Sequence, residues 1–192
     1  MKNTKNILLL FGGAQEADIS KKSANFIANQ LTKLGHKIHI VEINSKLELY
    51  HVGLTNELID SNQKIKCNLQ NGGITTNRDK VSPIDYCIPC IHGFPGESGD
   101  IQSILKFFNI PYLGCASEAS KLCFNKISTK LWAEKLAIPV VPYLVLSKSN
   151  LPTNQKQINY IVNTLGNELF IKSSSQGSSI GCYEVKNKDT IL

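Results

Sequence analysis

Two unbroken apolar runs stand out along the chain, Asn6 to Phe11 and Tyr86 to Ile91. Each predicts a strand covered on both faces, as strands of parallel sheets are. Gly12-Gly13 ends the first. Ala24, Ile27, Ala28, Leu31 and Leu34 then recur at helical spacing and predict a helix over Ser23 to Leu34, with Ser20 as N-cap and Gly35 just beyond the last turn. Lys37 to Ile43 alternates well enough to predict a second strand, so the chain opens β-α-β, which is right-handed and parallel. Residues 44–82 are polar. They read as an insertion before the third strand, with a short helix near Asn56 to Ser61 and a small hairpin about Asn71-Gly72-Gly73.

The later pattern continues the same theme. Ile101, Ile104, Leu105 and Phe108 predict a helix over Asp100 to Phe108, and Pro111 to Gly114 a short strand. Ser117 to Leu136 reads as helix in two pieces, Pro142 to Leu146 as a strand, and Gln155 to Leu165 as a helix closed by Gly166. Leu169 to Lys172 and Ile180 to Val185 flank a Ser/Gly loop and predict a hairpin. The class is α/β, with a doubly wound, mainly parallel N-terminal sheet. The chain stops at Leu192 where another helix would start, and so reads as ending inside a domain.

Three loops carry candidate chemistry. Between the 86–91 strand and the helix that follows lies Ile91-His92-Gly93-Phe94-Pro95-Gly96-Glu97-Ser98-Gly99. Such a loop sits where open α/β sheets place ligands, and a helix start there favours a carboxylate or phosphate. His92 adds a donor that changes charge near neutral pH. The same pattern also serves as a plain tight connection. The Gly12-Gly13-Ala14-Gln15-Glu16 turn lacks the full dinucleotide fingerprint, and Glu16 with Asp18 would repel a phosphate but suit an amine. Ser173 to Ser179, next to Lys172, offers hydroxyls and backbone N–H groups as a phosphate clamp, although Ser/Gly tracts are also common as solvated linkers.

Composition narrows the classes. The chain has 192 residues, 42% hydrophobic and 19% charged, which fits a globular protein. Net charge is +6, yet Arg78 is the only arginine and no RNA-binding signature appears, so scattered solvated lysines explain the charge and a nucleic acid partner is not expected. No secretory signal or membrane-length apolar run is present, and a cytoplasmic, reducing location is expected. The six cysteines then read as reduced thiols. Cys87-Ile88-Pro89-Cys90 has redox spacing, but both thiols lie within an apolar run and read as small buried hydrophobes.

Taken together, these stretches resemble the D-alanine–D-alanine ligases, an ATP-grasp family. The matching residues are Leu8 to Gly13, Glu16 to Ser20, His92-Gly93 with Gly96 to Gln102, and Ile110 to Cys115. Further along they are Asn125-Lys126 with Thr129-Lys130, Ile138 to Tyr143, and Ile171-Lys172 with Gly177 to Gly181. They run in family order over nearly the whole chain apart from residues 44–82.

The resemblance implies a pre-ATP-grasp domain over 1–115, binding a first D-alanine, and the start of an ATP-grasp domain over 116–192. It implies ATP-dependent joining of two D-alanines through an acyl phosphate, for peptidoglycan precursor synthesis, with ATP and magnesium as cofactors and a homodimer as its protein partner. By position, Glu16 would hold the ammonium of the first D-alanine, His92 would lie beside its carboxylate, and Ser178 would help position both. Lys126 and Lys172 would contact ATP phosphates, with Ser174, Ser175, Gly177 and Ser179 in the loop folding over them. Ala17, Asn125 and Ser173 depart from the family pattern. The family's metal ligands, two carboxylates and an asparagine, fall beyond residue 192, as does a charge-stabilising arginine. The chain alone is therefore expected to be inactive. A relative joining D-alanine to D-lactate or D-serine, a non-catalytic ligand-binding fragment and a thiol-redox module stand as alternatives.

Overall fold

The computed structural model describes residues 4–14, 16–54, 64–76 and 80–186. The chain divides into two compact units, Met1–Lys121 and Leu122–Leu192.

In the first unit, β1 (Asn6–Gly12) pairs in parallel with β2 (Lys37–Ile43) on one side and with β7 (Tyr86–Pro89) on the other. A parallel bridge between Cys87 and Tyr112 adds the 111–114 segment beside β7. Helix α1 (Ala17–Lys33) connects β1 to β2, and α2 (Asp100–Phe107) follows β7. The apolar run of β1 feeds two cores, one on each face of the sheet. Leu8 and Leu10 pack with Ile101 and Leu105 of α2, while Leu9 and Phe11 pack with Ala24 and Ala28 of α1. Leu8, Leu9 and Leu10 are all fully buried, and each such side chain stabilises the fold by about 1.5–3 kcal/mol. The small alanines let α1 lie close to the sheet. One helix on each face of a parallel centre is the doubly wound arrangement the sequence predicts.

Two expectations for the first unit are corrected. Residues 44–82 do not form an insertion beside the sheet. They extend it past β2 through β3 (Leu49–Leu54), β4 (Ile65–Gln70), β5 (Gly73–Thr76) and β6 (Val81–Pro83), each antiparallel to its neighbour. The sheet order is β6-β5-β4-β3-β2-β1-β7. In β4 only Cys67 and Leu69 face the core, which is why the stretch reads as polar. The expected hairpin is the β4–β5 connection, where Gln70 pairs with Gly73. The short helix expected near 56–61 lies outside the described residues. The second correction concerns α1, which begins at Ala17 with Glu16 as its N-cap. Ser20 is therefore inside the first turn, where its hydroxyl bonds strand ends instead of capping.

The second unit contains α4 (Lys126–Lys135), α5 (Gln155–Leu165) and the antiparallel pair β8 (Leu169–Lys172) and β9 (Cys182–Val185). Helix α3 (Ser117–Phe124) precedes α4, giving the two expected helical pieces. Asn125 caps α4, its Oδ1 accepting from the Ser128 N–H at 2.9 Å, and Asn154 caps α5 in the same way. Ile161, Leu169 and Val185 make the buried core, joined by Leu144 and Leu165. No strand forms at Pro142 to Leu146, contrary to the sequence expectation. That segment is held by side chains instead. Lys130 donates to the Val141 carbonyl at 3.0 Å and lies over the Tyr143 ring, and the Tyr143 hydroxyl donates to Glu134.

Candidate functional site

In the first unit the two candidate loops leave adjacent strands at their carboxyl ends. Gly12 has φ +107°, and a Cβ there would lie 2.2 Å from the Ile43 carbonyl oxygen, so the turn closes onto β2 only without a side chain. The Gly13 N–H then donates to that same oxygen at 2.9 Å. A Cβ on Gly13 would stand 3.1 Å from the Ile91 side chain and 3.4 Å from the Phe94 carbonyl oxygen. The acidic turn and the histidine loop are thus packed against one another.

The histidine loop is folded tightly on itself. The Glu97 N–H donates to the Gly93 carbonyl at 2.7 Å, and the Phe94–Pro95 peptide is cis. Gly96 is pressed against Ile91 so closely that a Cβ would lie 2.2 Å from the Ile91 carbonyl oxygen. The Ser98 hydroxyl donates to the Asp100 carboxylate in the first turn of α2. Gln102 reaches back from α2, and its Nε2 donates to the Gly96 carbonyl at 2.7 Å. Among the described residues, the buried His92 Nε2 and Gln102 Oε1 have no hydrogen-bond partner. Buried polar atoms are nearly always paired, so each is an opening for water or a ligand. Sequence reasoning assigned no role to Gln102. Its signal was an amide on the same helical face as Ile101 and Leu105.

The two thiols of the Cys87-x-x-Cys90 pair are buried within the sheet. Burial raises the Cys87 thiol well above its ordinary value, with Cys90 adding to the effect, and pushes Cys90 up to about 11. A redox nucleophile needs the opposite shift, so nothing here favours thiol chemistry.

In the second unit, the Ser/Gly loop folds back onto the start of α4. The Lys126 N–H donates to the Ser174 carbonyl at 2.8 Å, and its ammonium donates to the Gln176 carbonyl. Asn125 donates from Nδ2 to Ser175 Oγ at 3.2 Å while its Oδ1 caps the helix. The loop base is closed by the Ser173 N–H on the Gly181 carbonyl at 2.7 Å. Ser178 and Ser179 both hold left-handed backbone, with φ of +48° and +62°. They are the central pair of a tight turn closed by the Ile180 N–H on the Gly177 carbonyl at 2.9 Å. Lys126 and Asn125 are thus tied to Ser174, Ser175 and Gln176, and Gly177, Ser178 and Ser179 follow in the same loop. Lys172, at the end of β8, lies with its ammonium 5.5 Å from the centre of the Phe170 ring. Among the described residues no group of three or more His, Cys, Asp or Glu side chains is arranged to hold a metal ion, and no helix is long and apolar enough to cross a membrane.

The family described as D-ala D-ala ligase N-terminus matches residues 6–115, and its C-terminal counterpart matches 131–192. The chain belongs to the D-alanine–D-alanine ligase family. The D-alanine–D-alanine ligase of Vibrio cholerae serotype O1 (strain O395) is 43% identical over 192 residues, covering 100% of this chain and 55% of that protein. Among solved structures, D-alanyl-alanine synthetase A of V. cholerae O1 biovar eltor aligns with TM-score 0.82 at 38% identity, over 100% of this chain and 54% of that one. The D-alanine–D-alanine ligase of Coxiella burnetii aligns with TM-score 0.85 at 27% identity, over 97% and 58%. The chain spans about half the length of the curated relatives it matches. The ligase-family fold over this portion is the arrangement described above.

Proposed function

We propose that this chain supplies the first D-alanine subsite and part of the ATP site of a D-alanine–D-alanine ligase, acting in peptidoglycan precursor synthesis. The domain division proposed with it assigns 1–115 to the first substrate and 116–192 to the nucleotide. The observation that carries the reading is the packed pair of loops at the ends of β1 and β7, with the buried His92 Nε2 awaiting a partner. A zwitterionic amino acid suits that pair. The Glu16 carboxylate holds the ammonium by a charge-assisted hydrogen bond, and the His92 ring donates to the carboxylate.

In the reaction, a carboxylate oxygen of the first D-alanine takes the γ-phosphoryl group of ATP, and ADP leaves. The neutral amine of the second D-alanine attacks the acyl carbon. Phosphate is expelled, and the new amide nitrogen loses a proton. Lys126, the Ser178–Ser179 turn and the hydroxyls of Ser174 and Ser175 are the groups offered to phosphate oxygens, and fixed donors there stabilise charge on the transferring group. Lys172 and Gly177 complete this set. Magnesium, implied by the family, would neutralise phosphate charge. Among the described residues no cluster of His, Cys, Asp or Glu side chains is arranged to hold it.

The test is a titration of the isotope-labelled chain followed by NMR. D-Alanine should shift the Glu16 and His92 resonances and L-alanine should not, while a non-hydrolysable ATP analogue should shift Lys126 and the 173–179 amides. No response to D-alanine, or an equal response to its mirror image, would refute the substrate reading. Identification of the peptide product by mass spectrometry tests the choice of second amino acid.

A further inference from the structure

We propose that the Ser20 hydroxyl is a positioning element that sets Glu16 against His92; this rests on reading those two residues as the holders of the first D-alanine. Ser20 is fully buried in the first turn of α1. Its N–H donates to the Glu16 carbonyl at 2.9 Å, so the backbone of Glu16 is tied to it directly. Its Oγ accepts the Gly12 N–H at 2.8 Å and donates its single proton to the Cys90 carbonyl at 2.7 Å. Gly12 is the last residue of β1, and the turn to Glu16 begins there. Cys90 follows β7, and His92 is two residues on.

One hydroxyl therefore ties three things: the helix that carries Glu16, the strand end that leads to it, and the strand end that leads to His92. Only a group that donates and accepts at once can do this. The β1 and β7 backbones are already joined upstream, where the Cys90 N–H donates to the Leu10 carbonyl at 2.7 Å. Beyond that bond the strands part, and Ser20 fills the gap. A buried hydroxyl in a helix that needs no cap from it is costly unless it is bonded, and here it is bonded on both sides. Removing it leaves the Gly12 N–H and the Cys90 carbonyl without partners and both loops free to drift. Binding geometry needs to be held within about 0.5 Å, so drift of either loop weakens the site.

The test compares the labelled 192-residue chain with Ser20→Ala and Ser20→Thr. Ser20→Ala should bind D-alanine about tenfold more weakly and shift the Glu16 and His92 resonances without ligand, while the ATP-analogue response of the 173–179 loop stays unchanged. Ser20→Thr keeps the oxygen and should stay within about threefold of the parent. Equal D-alanine affinity in Ser20→Ala, or a loss in Ser20→Thr as large as in Ser20→Ala, would overturn the proposal. Should Ser20→Ala not fold, Ser20→Thr and hydrogen exchange at the parent's Gly12 amide decide, since an unprotected Gly12 amide contradicts the bond. If the parent chain ignores D-alanine, the functional reading fails instead. The positioning role is then read from the ligand-free resonances alone, which Ser20→Ala must move.

Discussion

His39 makes the chain sensitive to mild acid, through a mechanism whose sign and size follow from its surroundings. It lies on β2 at 5% exposure, its ring packed edge to face on His51 of β3 with centroids 5.7 Å apart. Burial first, then the His51 and Lys37 charges, hold its pKa down from 6.5 to about 4. Burial also lowers His51. In the unfolded chain both rings take protons near their ordinary value. Between pH 6.5 and about 4 the unfolded state binds a proton that the folded state refuses, so stability falls as pH falls through that window and levels off below it. At ~1.4 kcal/mol per pKa unit the full gap is worth about 3 kcal/mol, and solvent screening brings it to about 1–2. Urea unfolding at about pH 7 and about pH 5 measures this in the parent and in His39→Gln. The Glu48 carboxyl, held down to about 2 chiefly by Lys66, costs stability only as pH falls through its ordinary value of 4.5, below the two pH values compared. The parent should lose about 1–2 kcal/mol on acidification and His39→Gln clearly less, what it still loses belonging to His51. An equal loss in both proteins, or none in the parent, would refute the reasoning.

Two further predictions concern the loops and thiols. Gly96→Ala places a methyl 2.2 Å from the Ile91 carbonyl oxygen, so it should cost about 1–3 kcal/mol in urea unfolding and displace the His92 resonances; an unchanged midpoint would show that the loop is not packed as described. A thiol reagent should label the exposed Cys115 and Cys123 quickly and the buried Cys67, Cys87 and Cys90 only on unfolding; rapid labelling of Cys90 in the native chain would reopen the redox reading.

The parts of this chain that could be read from sequence are those where one physical signal dominates. Leu8 to Phe11 is apolar at every position because both faces of β1 are covered, and such a run is unmistakable. The spacing of Ile101 and Leu105 marked α2, and the histidine and glycines before it marked a candidate loop. The same residues, taken in order, carried the family resemblance. Strands β3 to β6 were hidden because they add antiparallel at one side of the sheet, and a strand such as β4, with alternate residues exposed, resembles polar loop. Pro142 to Leu146 erred the other way. It is apolar enough for a strand, yet no partner strand pairs with it among the described residues.

What the linear order of residues determined, then, was the buried parallel centre, the helices over it and the identity of the chemistry-bearing side chains, since these follow from local hydrophobic periodicity and residue type. What only the tertiary structure decided was partnership. Ser20 reads as a cap until the ends of β1 and β7 are seen on either side of its hydroxyl. Gln102 reads as one more polar residue until its amide is found on the Gly96 carbonyl, and Asn125 as a family departure until it caps α4 and holds Ser175. A hydrogen bond between residues tens of positions apart depends on where the whole backbone has brought both groups, and no local pattern encodes that.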